Sequence, residues 1–211
     1  MSMRWLCAFG AATTALLLSG CGLTVTKTGV DPVANLAPRS TPNGMVLVSP
    51  DNFVRAVTDQ EFTNVVNENG FGRFFHMREL TPIDRQMVVR SNRDTLYSAA
   101  VFDLDAGPVT VTLPDSAGRF MSLQIISEDH YTTQVAYAPA TVTLTRAAVG
   151  TRYAAVAIRT LVDPNDAADL AAVHALQDAI TAAQVAPGSF EVPDWDAATQ
   201  KTVRDALVTL A

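Results

Sequence analysis

The residues best able to move protons in this chain are three histidines and the acids near them. His76 lies in Phe74-Phe75-His76-Met77-Arg78-Glu79, and His130 follows Glu128-Asp129. His174 stands four residues before Asp178, the spacing of an ordinary helix-surface pair. His76, Asp94, Glu128 and His130 are therefore the candidate acids, bases or ligands of a hydrolase-like, metal-assisted centre. That reading requires a histidine within hydrogen-bond reach of Asp94 or Glu128, in a concave pocket. There is no His-x-His, no His-Glu-x-x-His and no repeated acidic loop, so no metal site is expected; Asp94 and His130 are the pair that would hold one. No Gly-x-Ser-x-Gly marks a nucleophile, and Ser98, Ser122 and Ser127 have no marked base. No glycine-rich phosphate loop is present, and no cofactor is expected.

Binding is better served than catalysis. Arg78, Arg90, Arg93, Arg119 and Arg159 fall in one stretch of an otherwise acidic chain. The planar guanidinium fork suits carboxylates. Asn92-Arg93-Asp94 reads as a turn whose side chains bond the neighbouring backbone, or as a binding corner. Tyr97 shares a strand face with Thr95, Ala99 and Val101. Asn92, Arg93, Tyr97 and Arg119 are the expected ligand contacts, joined by His130. The competing expectation pairs the arginines with Asp94, Asp103, Asp105 and Glu128 at strand ends. The chemistry leans against an enzyme; the other alternative is a structural envelope lipoprotein, which would show no pocket but an exposed apolar patch.

The elements that must position these residues follow from periodicity. Ser49-Pro50 suits a helix start, and Phe53, Val54, Val57, Phe62, Val65 and Val66 give it an apolar face ending at Asn69-Gly70. From Phe71 to Leu161 the apolar period is two. Val109, Val111 and Leu113 alternate with threonines, and Met121, Leu123 and Ile125 alternate with Ser122 and Gln124. The intervening Pro114-Asp115-Ser116-Ala117-Gly118 predicts a hairpin of 108–113 and 119–127. Further strands are expected over 88–90, 95–104, 131–138, 141–145 and 152–161. Leu170, Val173, Leu176, Ile180 and Ala183 then return to helical spacing, and a last helix is expected after an Asp194 cap. The fold class is α+β: an antiparallel sheet or sandwich-like β domain over about 71–161, with one N-terminal and two C-terminal helices.

The first twenty residues read as an address. Arg4 precedes the uncharged run Trp5–Leu18, which is shorter than a membrane span. Leu18-Ser19-Gly20-Cys21 resembles the lipobox of bacterial lipoproteins, in which the cysteine is lipidated and becomes the first mature residue. The expected organisation is a lipoprotein signal peptide over 1–20, a flexible tether over 21–45 and a single α+β domain over 46–211. The membrane would then be a partner through the anchor at Cys21. The expected place is the bacterial cell envelope, on the outer membrane where there is one, since Gly22 rather than Asp follows the cysteine. With Cys7 in the signal and Cys21 lipidated, no thiol is left for catalysis or zinc.

The whole chain has 211 residues, 48% apolar and 17% charged, and a net charge of −6. It is long enough for one domain with a sizeable core, and that excludes global disorder. The acidic balance argues against a nucleic-acid partner; a small molecule or an envelope protein is the expected one.

The middle of the chain resembles a known family. Val89-Arg90-Ser91-Asn92-Arg93-Asp94-Thr95-Leu96-Tyr97-Ser98 is followed by Phe102-Asp103-Leu104, Gly107-Pro108-Val109, Leu113-Pro114-Asp115 and Gly118-Arg119-Phe120-Met121-Ser122. In that order these motifs resemble domain of unknown function 1254 (DUF1254), over about Phe71–Leu161 and the Leu170–Gln184 helix. Phe120 stands where many relatives have Tyr, and the extensions of the larger relatives have no counterpart. The resemblance implies a β-rich domain with flanking helices, in envelope or secreted proteins. It implies no activity.

Overall fold

The structure is a computed structural model, and it describes residues 39–85 and 92–210. The expected signal peptide, Cys21, most of the tether and the candidate strand 88–90 lie outside the described residues. Ser40 bridges Val46, and Leu47 N–H donates to the Arg39 carbonyl at 2.8 Å, within and beside the span read as tether.

Among the described residues eight strands and four α-helices follow in chain order. They are α1 (Phe53–Asn67), β1 (Phe75–His76), β2 (Thr95–Asp103), β3 (Val109–Leu113), β4 (Met121–Ser127), β5 (Thr132–Tyr137) and β6 (Ala140–Leu144). Then come α2 (Arg146–Val149), β7 (Tyr153–Leu161), α3 (Ala167–Asp178), β8 (Thr181–Ala183) and α4 (Ala197–Leu210). One sheet has the order β1-β2-β7-β4-β5 and the other β6-β3-β8, and every pairing is antiparallel. The α+β class with one leading and two closing helices is therefore the observed fold.

Alternation builds the core. Ala100 and Phe102 of β2, Leu123 and Ile125 of β4, and Val156 and Ile158 of β7 turn to one side of the larger sheet. They meet Val109, Val111 and Leu113 of β3 and Val142 and Leu144 of β6 in a single buried cluster. Burial of these β-branched and aliphatic side chains, at about 25 cal/mol per Å², is what holds the two layers together. On the other side, Phe62 of α1 packs with Val101 and Tyr153, and Phe190 covers them. At the far end Val173 of α3 packs with Leu96 and Val162.

Four sequence expectations are corrected. First, β3 and β4 form no hairpin: β3 pairs with β6 and β8, and β4 with β5 and β7. Each buries a single apolar face, and both faces enter the same core from opposite layers. The turn at Pro114–Gly118 thus crosses between layers, held by Ser116 Oγ donating to the Arg119 carbonyl at 2.6 Å. Second, the helical pattern through Ala183 breaks at Asp178, because Thr181–Ala183 completes the open edge of β3. Third, Asp196, not Asp194, caps α4, accepting from Thr199 N–H at 2.8 Å. Fourth, α1 buries Ala56, Thr58, Asp59 and Phe62, while Val54 faces solvent. Two polar residues on that buried face point to a polar cluster beneath it.

Candidate functional site

The register of the larger sheet sorts the candidate residues. Thr95 lies opposite Leu161, whereas Asp103 lies opposite Tyr153 and Ser127 opposite Ala154. Asn92, Arg93, Asp94, Tyr97 and Arg119 thus gather at one end of the sheet, and Glu128 and His130 at the other. Eight strand steps separate the ends, about 27 Å. Asp94 and His130 do not come together, and among the described residues no cluster of acids, histidines and cysteines is able to hold a metal.

At the first end most of the expected contacts are engaged within the fold. Asn92 Oδ1 accepts from Asp94 N–H at 2.7 Å, closing a turn into β2. Arg93 donates to the Thr81 carbonyl at 2.7 Å. Arg119 grips both carboxylate oxygens of Asp169 and donates to the Leu161 carbonyl at 2.7 Å. The hydrogen bonds from Arg119 hold the Asp169 carboxyl below its ordinary value. Arg78 likewise binds Asp178, as well as the Gln177 side chain at 3.2 Å. The carboxylate partners of Arg78 and Arg119 lie on α3 and are not the strand-end acids the sequence suggested.

Arg159 is different. It is exposed, its guanidinium lies 5.3 Å above the Tyr97 ring, and among the described residues no carboxylate pairs with it. Tyr97, Arg159, Ser122 and Tyr137 lie opposite one another in a row across β2, β7, β4 and β5. Phe120 meets Tyr137 edge-on at 6.0 Å. Phe120, Leu161, Val135 and Tyr137 are all exposed, Tyr137 by 62%. Among the described residues α1 covers the Val101–Tyr153 end of this sheet face and no element covers the other. The open end therefore offers an apolar and aromatic floor around one cation, with Ser122 and Gln124 as hydrogen-bonding groups. The chemistry matches a ligand that has an apolar body and a carboxylate.

At the second end, under α1, lies a cluster that sequence reasoning only half found. Glu128 is buried, accepting from Arg55 at 3.0 Å and from Tyr153 N–H at 2.9 Å. Arg55 also binds Asp129. Asp59, 1% exposed, accepts from Trp195 Nε1 at 2.9 Å, and its Oδ1 has no partner among the described residues. Burial, aided by the Glu128 charge, pushes the Asp59 carboxyl above its ordinary value despite the Trp195 bond and Arg55. His130, exposed, turns its Nδ1 to Thr58 Oγ1 at 2.9 Å. Two carboxyl groups in unlike surroundings are suggestive of acid–base work. Here, however, Glu128 fastens α1 to the sheet and Asp59 fastens the C-terminal segment to α1.

The third group is at β1. His76 Nδ1 lies 2.8 Å from Ser98 Oγ, which supplies the base the sequence did not mark. But Ser98 is 1% exposed and also receives Gln177 Nε2 at 3.3 Å. Gln177, fully buried, donates as well to the Met77 and Tyr97 carbonyls. A sealed hydroxyl within such a network locks α3 onto β1 and β2 and presents no nucleophile. Burial and the Arg78 charge lower the His76 imidazole below its ordinary value, so it is neutral at pH 7. Two grooves adjoin these groups: about 340 Å³ between α1 and α4, lined by Val57, Gln60 and Gln200 among others, and about 460 Å³ along Phe75–Pro82. Neither is rimmed by two of the arginines the binding expectation called for.

No curated protein matches the sequence significantly. The crystal structure of the VPA0106 protein from Vibrio parahaemolyticus is similar, with a TM-score of 0.45 and 17% identity over 67% of this chain. The match spans 38% of that longer chain. Residues 71–147 match the model of the family described as protein of unknown function (DUF1254), and over those residues it is this family that the chain resembles.

Proposed function

We propose that this chain is a lipid-anchored protein of the bacterial envelope that binds a carboxylate-bearing ligand on the open face of its larger sheet. The ligand is a small molecule, or the same group displayed by an envelope partner. The observation that carries this reading is Arg159. Among the described residues Arg55, Arg78, Arg119, Arg146 and Arg152 each meet an acid; Arg159, like Arg39, Arg73, Arg93 and Arg204, meets none, but it alone of these stands over an aromatic ring, Tyr97, amid Phe120, Tyr137 and Leu161. The lipobox-like Leu18-Ser19-Gly20-Cys21 supports the anchor. The sealed Ser98 and the separation of Asp94 from His130 favour binding over hydrolysis.

The test is thermal unfolding of the full chain in detergent with acetate, succinate, citrate and benzoate, with divalent metals and chelator in parallel. A carboxylate at a hundred times its dissociation constant adds about 2.7 kcal/mol, a shift of several degrees. Arg159→Gln should abolish that shift. A metal-induced shift lost in His130→Ala would instead favour the hydrolytic reading. For the anchor, incorporation of labelled palmitate should disappear in Cys21→Ser.

A further inference from the structure

The two sheets have four edge strands: β1 and β5 in one, β6 and β8 in the other. β1 is two residues long and β8 three; β5, with six, is the longest. Five of its six residues are exposed, and its outer row of backbone N–H and C=O groups has no partner strand among the described residues. Such an edge accepts a strand unless charge, proline or distortion blunts it. A register shift lies near its start, opposite Ile125 and Ile126, but Gln134–Tyr137 keep regular register.

The charge pattern is the second observation. The chain carries a net −6, so two copies repel on average. Yet the fifteen residues Tyr131–Thr145 contain no charged side chain. That stretch is β5, the Ala138-Pro139 corner and β6, so it holds the free edges of both sheets where they meet. Like charges opposite each other destabilise paired strands, and here none would be opposed. A foreign strand would need no such neutrality on this side; a copy facing itself does.

We propose that β5 is a self-association edge: two copies of this chain pair antiparallel through Gln134–Tyr137 about a two-fold axis. The two larger sheets become one ten-stranded sheet, and the exposed Val135 and Tyr137 of the two copies lie on one face beside the seam.

The test is sedimentation of the full chain in detergent across a wide concentration range, with Gln134→Glu/Val135→Glu and Gln134→Lys/Val135→Lys. Both sites are exposed, and circular dichroism confirms that each variant is folded. The wild type should form a concentration-dependent dimer. Each charged variant should weaken dimerisation by about tenfold or more, and a one-to-one mixture of the two should restore it. A wild type that stays monomeric throughout overturns the proposal. So do folded variants that dimerise like the wild type, or a dimer lost on Thr143→Glu in β6 and not on the β5 changes.

Discussion

Asp103 is the residue on which the C-terminal segment rests. It is buried, and it accepts from Arg152 at 2.9 and 3.1 Å and from the N–H groups of Asp105 and Ser189 at 3.0 and 3.2 Å. Burial alone would raise its carboxyl; the bonds from Arg152 and the two N–H groups outweigh it and hold the group below its ordinary value. Its stabilisation is thus present above the unfolded aspartate value, about 3.9, and is lost as pH falls through the folded value. Asp103→Asn should cost about 2–4 kcal/mol in urea unfolding at pH 7 and flatten the acid limb of stability. Gly188 is held to glycine by the same site: its φ is 75°, and an added Cβ would lie 2.5 Å from Asp103 Oδ2. Gly188→Ala should destabilise, measured the same way. The lowered His76 also makes acid destabilising. Its folded form resists the proton that the unfolded chain takes up near pH 6.5, so stability should fall as pH drops below that value. His76→Gln should remove that part of the slope. At this scale the sequence was partly legible. His76, Glu128, Arg119 and Tyr97 all prove to be engaged groups. Asp59 and Arg55 escaped notice because a polar residue buried on a helix face looks the same in sequence as an exposed one.

Elements were legible where period alone decides. The strands at 95–103, 132–137, 140–144 and 153–161 and the helices at 53–67 and 167–178 lie close to where alternation and helical spacing put them. Partner choice was not legible, because an alternating strand states which face is buried and not which neighbour it pairs with. The β3–β4 turn illustrates this: a turn composition serves a hairpin and a layer crossing equally well. The lock of α3 is equally invisible in sequence. Gln177 ties that helix to β1 and β2 through three acceptors and to Arg78 through its carbonyl oxygen. Gln177→Leu would remove the donor to the Met77 carbonyl, the Ser98 hydroxyl and the Tyr97 carbonyl, of which the last keeps the Met77 N–H at 2.9 Å. The expected cost is about 2–4 kcal/mol, with amide exchange in α3 rising before that of β7.

For the whole molecule, the α+β class and the family resemblance both came from the order of motifs and elements. The open sheet face did not, because it depends on how far α1 reaches across the larger sheet. That face carries the proposed function: among the described residues it is a half-covered sheet with Arg159, unpaired with any acid, over an aromatic floor. Amide chemical-shift mapping of the labelled full chain in detergent, titrated with succinate and benzoate, tests it most directly. The account predicts saturable shifts centred on Tyr97, Ser122, Gln124 and Arg159, absent in Arg159→Gln. Shifts confined to the groove at His76–Leu80 or to the Glu128–His130 turn, or no saturable shifts at all, would contradict it.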